Sequence, residues 1–439
     1  MNFKKLLAQS IFWRGFYFFS VLLVNVFLSR YLQAAGSGSL YFLTIIFSFS
    51  QAVLALGLEQ GITYFASGNI IPRNKLVIIA ALWSAVGGLL MIGFVYIYFL
   101  IDDTVRSSFS NSWSLYSFLY VTGQSLMGYI TALYYTKENY VLPNFLLSLI
   151  NILFVFIIPA KDAVTTPAEI DSIITLYFYT FFISGAMLLV SFFFYNKKEG
   201  GYGLPNDHFK EFLQYSLTAL GANVIFFLVY RIDYLFVNEY ANNDPVNRAG
   251  DLGNYIQVAK LGQMLLILPQ IVASVVFPRT ASGIDRKKLN NIIMVISRLF
   301  SQMFFVLIIG VLLLGKIFFI KLFGETFNAM QIPMLVLMPG IFCLSVLALL
   351  SAYFSGKGKI KVNVQGAVLA LIVMIAGAWI FVPRYGIIAA AAVSTASYAV
   401  NMGYALFIFY KDYKINFIEF FKWRREDYLW IKTLLGKEK

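Results

Sequence analysis

The sequence predicts an all-α integral membrane protein with about twelve transmembrane helices, arranged as two six-helix lobes around a central cavity. The observations behind this prediction are the composition, the spacing of the apolar segments and the placement of positive charge. Of the 439 residues, 60% are hydrophobic and 13% are charged. Soluble domains average about 45–50% apolar and about 25% charged residues. A soluble fold of this length could not bury so much apolar surface.

Apolar segments recur along almost the whole chain. A helix needs about 20 mostly apolar residues to cross a bilayer, and that length predicts twelve spans. Their approximate bounds are 11–31, 40–62, 76–101, 113–135, 142–159, 172–195, 212–238, 253–277, 293–320, 333–354, 362–383 and 387–410.

Positive charge predicts the orientation of these helices. Most of the 34 Lys and Arg residues fall in alternate connecting segments and in the C-terminal stretch. Cytoplasmic loops of membrane proteins are enriched in Lys and Arg, so both termini are expected in the cytoplasm. The net charge of +13 is spread over many short loops, so we expect no nucleic-acid partner.

A weak internal repeat predicts the domain organisation. ASGNIIPRNKL (Ala66–Leu76) resembles ASGIDRKKL (Ala281–Leu289), and upstream of these Ser39-Leu40-Tyr41 aligns with Gly253-Asn254-Tyr255. The two blocks lie six helices apart, as expected for parallel repeats. The predicted divisions are an N-terminal lobe at 1–195, a cytoplasmic linker at 196–211, a C-terminal lobe at 212–410 and an amphipathic cytoplasmic tail at 411–439.

Ionisable residues inside the apolar segments are the candidate functional residues. Such residues are costly in a membrane and commonly mark substrate or ion pathways. The basic set exceeds the acidic set, which favours an anionic ligand such as a phosphate. The candidates for substrate binding are Arg14, Arg231, Lys260 and Arg298, and those for ion coupling or structural pairing are Asp233 and Glu59.

For several of these residues a purely structural role is the alternative to a functional one. Arg14, Arg298 and Glu59 lie near predicted helix ends and could extend to the membrane interface. Arg231 and Asp233 are two residues apart, so on a helix they point to different sides and cannot pair well with each other. Each therefore needs a structural partner from another helix, a water-filled cavity or a ligand.

Other features argue against catalysis and against a bound cofactor or metal. His208 and Cys343 are the single histidine and cysteine, too few for a histidine-based zinc site or a Ser-His-Asp triad. GVLLLGK (Gly310–Lys316) resembles part of a P-loop, but Ile317 follows where Ser or Thr would bind magnesium. We therefore expect a non-enzymatic protein without a nucleotide site.

Several loose motifs, in order along the chain, resemble the polysaccharide-biosynthesis flippases of the Wzx (O-antigen) type, in the multidrug/oligosaccharidyl-lipid/polysaccharide exporter superfamily. The motifs are LQAAGSGSLYFL (Leu32–Leu43), Arg231-Ile232-Asp233, GNYIQVAKLGQMLLILPQ (Gly253–Gln270), FPR (Phe277–Arg279), KLFGETFNAM (Lys321–Met330) and VPRYGIIAAAAVSTAS (Val382–Ser397).

The resemblance implies a two-lobed transporter of the bacterial inner membrane. It would move undecaprenyl-diphosphate-linked oligosaccharides from the cytoplasmic to the periplasmic leaflet by alternating access, driven by an ion gradient. Its partners would be that lipid-linked glycan, membrane lipids, and a polysaccharide polymerase and chain-length regulator. Arg231, Asp233 and Lys260 lie within the matched motifs, whereas Arg14 and Arg298 rest on their position in apolar segments.

Two other functions are considered. A multidrug efflux antiporter of the same superfamily would need an acidic cavity for cationic drugs, which the basic excess does not favour. A membrane polymerase or ligase would need large outer loops or paired catalytic carboxylates, and the predicted outer loops are short.

Overall fold

The computed structural model describes residues 3–101, 112–159, 167–197, 201–204, 207–281 and 286–413, and positions 422, 424 and 427. Regular structure in these ranges is helical. The α-helices are α1 (Phe3–Leu54), α2 (Leu58–Ser67), α3 (Arg73–Ile101), α4 (Trp113–Tyr135), α5 (Val141–Ile157), α6 (Pro167–Tyr195), α7 (Phe209–Tyr240), α8 (Pro245–Leu265), α9 (Ile267–Ala281), α10 (Arg286–Phe323), α11 (Gln331–Gly356) and α12 (Ile360–Tyr413). A short 3-10 turn, Glu325–Phe327, joins α10 to α11.

The prediction of about twelve apolar spans is confirmed over the described residues. Eight stretches are long and apolar enough to cross a membrane. Two of them, in α1 and α12, each hold two segments, because Gln33 (φ 62°) and Gly386 (φ 58°) interrupt the helical backbone. Two further helices, α4 with 23 residues and the shorter apolar helix α5 with 17, lie outside these eight stretches and correspond to the predicted spans 113–135 and 142–159.

The chain divides into two compact units. Unit 1 comprises Met1–Leu32 and Leu40–Phe227, and unit 2 comprises Gln33–Ser39 and Leu228–Lys439. The division falls inside α7, so the first part of this helix packs with unit 1 and the second part with unit 2. The predicted domain bounds around the linker 196–211 and the predicted central cavity stay predictions.

Unit 1 is held together by close packing of α4 against α6. A Cβ atom on Gly123 would lie 2.4 Å from the backbone carbon of Phe181, so no larger residue fits this crossing without a shift. Beside it, the rings of Tyr116 and Phe178 stack with centroids 4.7 Å apart. Small residues at helix crossings let the backbones approach, which favours association where lipid removes the hydrophobic driving force.

Unit 2 is built around α11, which contacts α8, α9, α10 and α12. The short segment Gln33–Ser39 joins this unit through a contact between two glycines. A Cβ on Gly38 would lie 2.1 Å from the carbonyl oxygen of Ala249, and a Cβ on Gly253 would lie 2.0 Å from that of Ala34. The kink of α1 at Gln33 thus coincides with the start of a segment that packs on α8.

The residues aligned by the internal repeat occupy similar positions in the two units. In unit 1 the buried hydroxyl of Tyr41 lies 3.2 Å from the hydroxyl of Ser29 on the preceding segment. In unit 2 the buried hydroxyl of Tyr255 donates to Asp233 on the preceding helix. Each repeat therefore joins a buried tyrosine to a polar side chain on the helix before it, and only unit 2 places a carboxylate there.

We expect Gly253→Ala to destabilise the protein by about 1–3 kcal/mol, because the added methyl group would overlap a backbone carbonyl. Gly250→Ala is the matched control on the same helix, since a Cβ there would meet nothing within 4 Å. The control should be neutral or slightly stabilising. Denaturation of the purified protein in mixed micelles measures both, and equal stabilities of the two variants would contradict the packing assigned to Gly253.

Candidate functional site

A buried hydrogen-bond network surrounds the carboxylate of Asp233. Tyr255 of α8 donates its hydroxyl to Asp233 Oδ2 at 2.5 Å, and Ser394 of α12 donates to the same oxygen at 2.9 Å. The backbone N–H of Tyr234 donates to Oδ1 at 3.1 Å. Asp233 is only 2% exposed. Burial removes the hydrogen bonds that a carboxylate makes to water, and these protein donors replace them. One acidic side chain therefore joins α7, α8 and α12.

Arg231 points to a different set of partners, as its two-residue separation from Asp233 predicts. Its guanidinium donates to the side-chain oxygen of Gln263 on α8 at 2.9 Å and to the hydroxyl of Tyr234 at 3.3 Å. The guanidinium carbon also lies 5.5 Å from the centre of the Tyr234 ring. Among the described residues, these hydrogen-bond partners are neutral, so they orient the arginine without cancelling its charge.

Lys260 adds a second positive charge beside Arg231. It lies three residues before Gln263 on α8, on the same face of that helix, and within electrostatic range of Arg231. Two cations held near each other at a partly buried place favour an anion between or beside them. The guanidinium fork and the ammonium group are both common ligands of phosphate oxygens.

The other basic and acidic candidates, Arg14 and Glu59, line a cavity of about 760 Å³ within unit 1. Arg14, on α1, is half-buried, and its guanidinium carbon lies 5.3 Å from the centre of the Tyr135 ring. Glu59 lies in the first turn of α2, where the helix dipole favours a carboxylate. Tyr135 is within electrostatic range of both charges.

The wall of this cavity includes a break between α1 and α2. The helical backbone stops after Leu54 and resumes at Leu58, with Gly57 in the left-handed region at φ 67°. Carbonyl groups at the break accept hydrogen bonds from other helices: Trp83 Nε1 donates to Leu54 at 2.7 Å, and the Tyr129 hydroxyl donates to Ala55 at 3.2 Å. Irregular backbone at membrane depth is tolerated where protein or a polar cavity satisfies it.

Arg298, the fourth basic candidate, has different contacts from those expected of a substrate ligand. Its Nε and Nη2 atoms donate to the two carboxylate oxygens of Asp427 at 2.7 and 2.5 Å. Arg298 and Asp427 are 3% and 2% exposed. The charge of Arg298 is thus matched by an acid of the C-terminal stretch, and we leave it out of the proposed substrate site.

The predicted amphipathic cytoplasmic tail at 411–439 stays a prediction. Most of 411–439 lies outside the described residues, but Asp427 is buried against α10 rather than placed at a surface.

Sequence reasoning missed the residues that complete these sites. Tyr255 lies in the internal repeat and in a motif of the family resemblance, and Ser394 lies in the AAAAVSTAS stretch, whose composition indicates close helix packing; neither was a candidate for the site. The signal available was a hydroxyl group within an apolar segment, which does not by itself identify its partner. The pairing of Arg298 with Asp427 joins positions 129 residues apart, a separation that no local pattern encodes.

Comparison with known proteins identifies the fold. No family model and no curated protein sequence matches the chain. Solved structures do match over nearly the whole length. A mutant of the Vibrio cholerae MATE transporter VcmN has a TM-score of 0.68 at 13% identity, covering 95% of this chain and 98% of that one. The lipid II flippase MurJ has a TM-score of 0.65 at 14% identity, covering 98% and 93%.

A multidrug resistance MATE family transporter of the MOP superfamily is a further match, with a TM-score of 0.64 at 13% identity and 96% coverage of both chains. At such low identities the likeness establishes the fold. The chain is a multi-pass membrane protein with the transporter fold shared by MATE proteins and MurJ.

We expect Tyr255→Phe to destabilise the protein by about 1–3 kcal/mol, because a buried carboxylate loses one of its donors. Tyr41→Phe is the matched control, since it removes the aligned hydroxyl from its contact with the neutral hydroxyl of Ser29, and a smaller loss of about 0.5–1.5 kcal/mol is expected. Unfolding in mixed micelles measures the two variants side by side. A larger loss for Tyr41→Phe would show that Asp233 does not depend on this donor.

We expect Asp427→Ala to cost about 3–5 kcal/mol of stability, because it leaves the buried guanidinium of Arg298 without its carboxylate. The double variant Arg298→Met/Asp427→Leu should be close to wild type, since an apolar pair of similar volume replaces both charges. Melting temperatures of the detergent-purified proteins measure this difference. A mild effect of Asp427→Ala alone would mean that Arg298 is not held by the tail.

Proposed function

We propose that the protein is a flippase that moves a polyprenyl-diphosphate-linked oligosaccharide from the cytoplasmic to the outer leaflet of the bacterial inner membrane. The transport cycle would be alternating access, and the product would serve surface polysaccharide synthesis (O-antigen, capsule or exopolysaccharide). The observation that carries the proposal is the position of Arg231, oriented by its neutral partners Gln263 and Tyr234, within electrostatic range of Lys260 on the next helix. The flippase MurJ, whose fold the chain shares, is consistent with this substrate class.

The charge balance around Arg231 supports an anionic head group. The nearby acid, Asp233, receives three hydrogen bonds from Tyr255, Ser394 and its neighbour's backbone N–H. The carboxylate is therefore held by neutral donors, while Arg231 and Lys260 are two basic side chains within electrostatic range of each other. A diphosphate presents several anionic oxygens that such donors can bind at once. The polyprenyl chain, being apolar, would stay in the lipid while the head group crosses.

Asp233 is the proposed point of ion coupling. Its hydrogen bonds join three helices of unit 2, so taking up a proton or a cation at the carboxylate would change the contacts among all three. A ligand shifts a conformational equilibrium only through such a difference between states. Glu59, in the cavity of unit 1, is a second proposed coupling residue.

Multidrug efflux is the alternative function, and Glu59 is the observation that favours it. A carboxylate beside tyrosine rings, as in the unit 1 cavity, suits an organic cation. Arg14 in the same cavity opposes this function, because it repels a cation and makes the charged lining neutral overall.

We propose no catalytic residue and no cofactor. A polysaccharide polymerase and a chain-length regulator are proposed partners.

The proposal is tested by lipid extraction from a strain of the native host that lacks this chain. We expect the complete lipid-linked repeat unit to accumulate in the cytoplasmic leaflet, and wild-type protein to clear it. Arg231→Ala should slow clearance about tenfold or more, since hydrogen bonds to a charged group contribute about 1.5–3 kcal/mol each. Arg384→Ala is the control, because Arg384 is an exposed arginine, and it should clear the lipid normally.

A strain with unchanged lipid intermediates and raised sensitivity to cationic dyes would overturn the flippase function in favour of efflux. Equal clearance by Arg231→Ala and Arg384→Ala would keep the flippase function but remove Arg231 from the substrate site.

A further inference from the structure

The unit 1 cavity contains charged and polar groups that the protein itself does not satisfy. The side chains of Arg14 and Glu59 make no hydrogen bond or ion pair with any described residue, although Arg14 is half-buried. Gln124, on α4, also lines the cavity, and its amide has no partner among the described residues. Glu59 is exposed and Gln124 is half-buried, so all three polar groups are open to a ligand in the cavity. The arrangement is therefore suited to a ligand that brings both donors and acceptors.

Other polar side chains of the cavity are already fixed in position. Asn223 donates to the side-chain oxygen of Gln60 at 3.2 Å, and Tyr135 exchanges hydrogen bonds with Asn144 at 3.0–3.1 Å. These bonds hold the amide groups and the Tyr135 ring in place before a ligand arrives. A preorganised wall lowers the ordering cost of binding.

Aromatic rings complete the lining. Tyr17, Tyr129, Tyr135 and Tyr140 come from α1, α4 and the turn before α5, and all four contribute to the wall. Tyr129 is buried, whereas the half-buried rings of Tyr17, Tyr135 and Tyr140 offer apolar surface beside the free polar groups. Sugars have this same mixed character, with C–H faces that pack on aromatic rings and hydroxyl groups that both donate and accept hydrogen bonds.

The charge and size of the cavity narrow the ligand class. Among the described residues, Arg14 and Glu59 are the charged side chains that line it, so this part of the lining is neutral overall. A free phosphate would meet Glu59 unfavourably, and an organic cation would meet Arg14 unfavourably. The volume of about 760 Å³ lies within the range of about 300–1,000 Å³ usual for small-ligand sites, which leaves room for a short oligosaccharide.

We propose that the unit 1 cavity is a sugar-binding subsite that holds the glycan part of the substrate. Sugar hydroxyls would donate to the Glu59 carboxylate, sugar oxygens would accept from Arg14 and Gln124, and a ring face would pack on the tyrosines. This proposal rests on the proposed function, and it separates glycan recognition in unit 1 from diphosphate binding by Arg231 and Lys260 in unit 2.

The test measures binding of a lipid-free probe to the full chain purified in detergent. The probe is the oligosaccharide released by mild acid from the host's polyprenyl-diphosphate lipids, and tetraphenylphosphonium is the organic-cation comparison. Titration calorimetry should show that the oligosaccharide binds the wild type and binds Glu59→Gln and Gln124→Leu about tenfold or more weakly. Tetraphenylphosphonium should not compete with it.

Glu211→Gln is the matched control for Glu59→Gln, because Glu211 is an exposed glutamate of the same unit, near His208. It should bind the oligosaccharide as the wild type does. Unchanged melting temperatures for Glu59→Gln and Gln124→Leu show that weaker binding is not misfolding, and Glu59→Asp, which keeps the carboxylate, should recover part of the affinity.

The proposal is overturned if the wild type does not bind the oligosaccharide, or if all variants bind it equally. Binding of tetraphenylphosphonium that depends on Glu59, without oligosaccharide binding, would assign the cavity to organic cations instead. The proposed function is tested separately by the deletion strain, and unchanged lipid intermediates there would exclude flipping. Oligosaccharide binding that depends on Glu59 and Gln124 would still establish the sugar subsite in that case.

Discussion

The hydrogen bonds to the Asp233 carboxylate fix the geometry on which the rest of unit 2 depends. A buried carboxylate is costly unless hydrogen-bond donors surround it, and Asp233 finds two of its donors on other helices, at Tyr255 and Ser394. These bonds set the rotation of α7 about its axis. That rotation in turn directs Arg231, two residues earlier, toward Gln263 and the neighbourhood of Lys260. The anionic anchor and the cationic pair are therefore parts of one arrangement.

Unit 1 reaches a polar interior by a different route, through a broken helix. Carbonyl groups at the interruption between Leu54 and Leu58 accept hydrogen bonds from Trp83 and Tyr129. The break places Glu59 in the first turn of a new helix and at the cavity wall. Backbone geometry, rather than a buried side-chain network, thus creates the polar site in this unit.

Much of the fold could be predicted from the sequence, because a membrane helix is a local property. Length and hydropathy are read within a single segment, and the twelve segments correspond closely to the helices observed. The kinks at Gln33 and Gly386 fall between predicted spans, so they do not change the number of spans predicted from the sequence. The expectation that Arg231 and Asp233 point to different partners was also local, since it follows from the helical repeat alone.

The sequence by itself determined that the chain lies in a membrane, how many times it can cross, and that the charge within its apolar segments is mainly basic, because these properties are sums over short windows. It suggested one role for four basic residues. The tertiary structure instead places Arg14 at a cavity in unit 1, Arg231 and Lys260 together in unit 2, and Arg298 against Asp427. Only the tertiary structure decided which charges are paired with an opposite charge. A desolvated charge needs a partner within a few ångströms, and that partner lies on a segment far away in the chain.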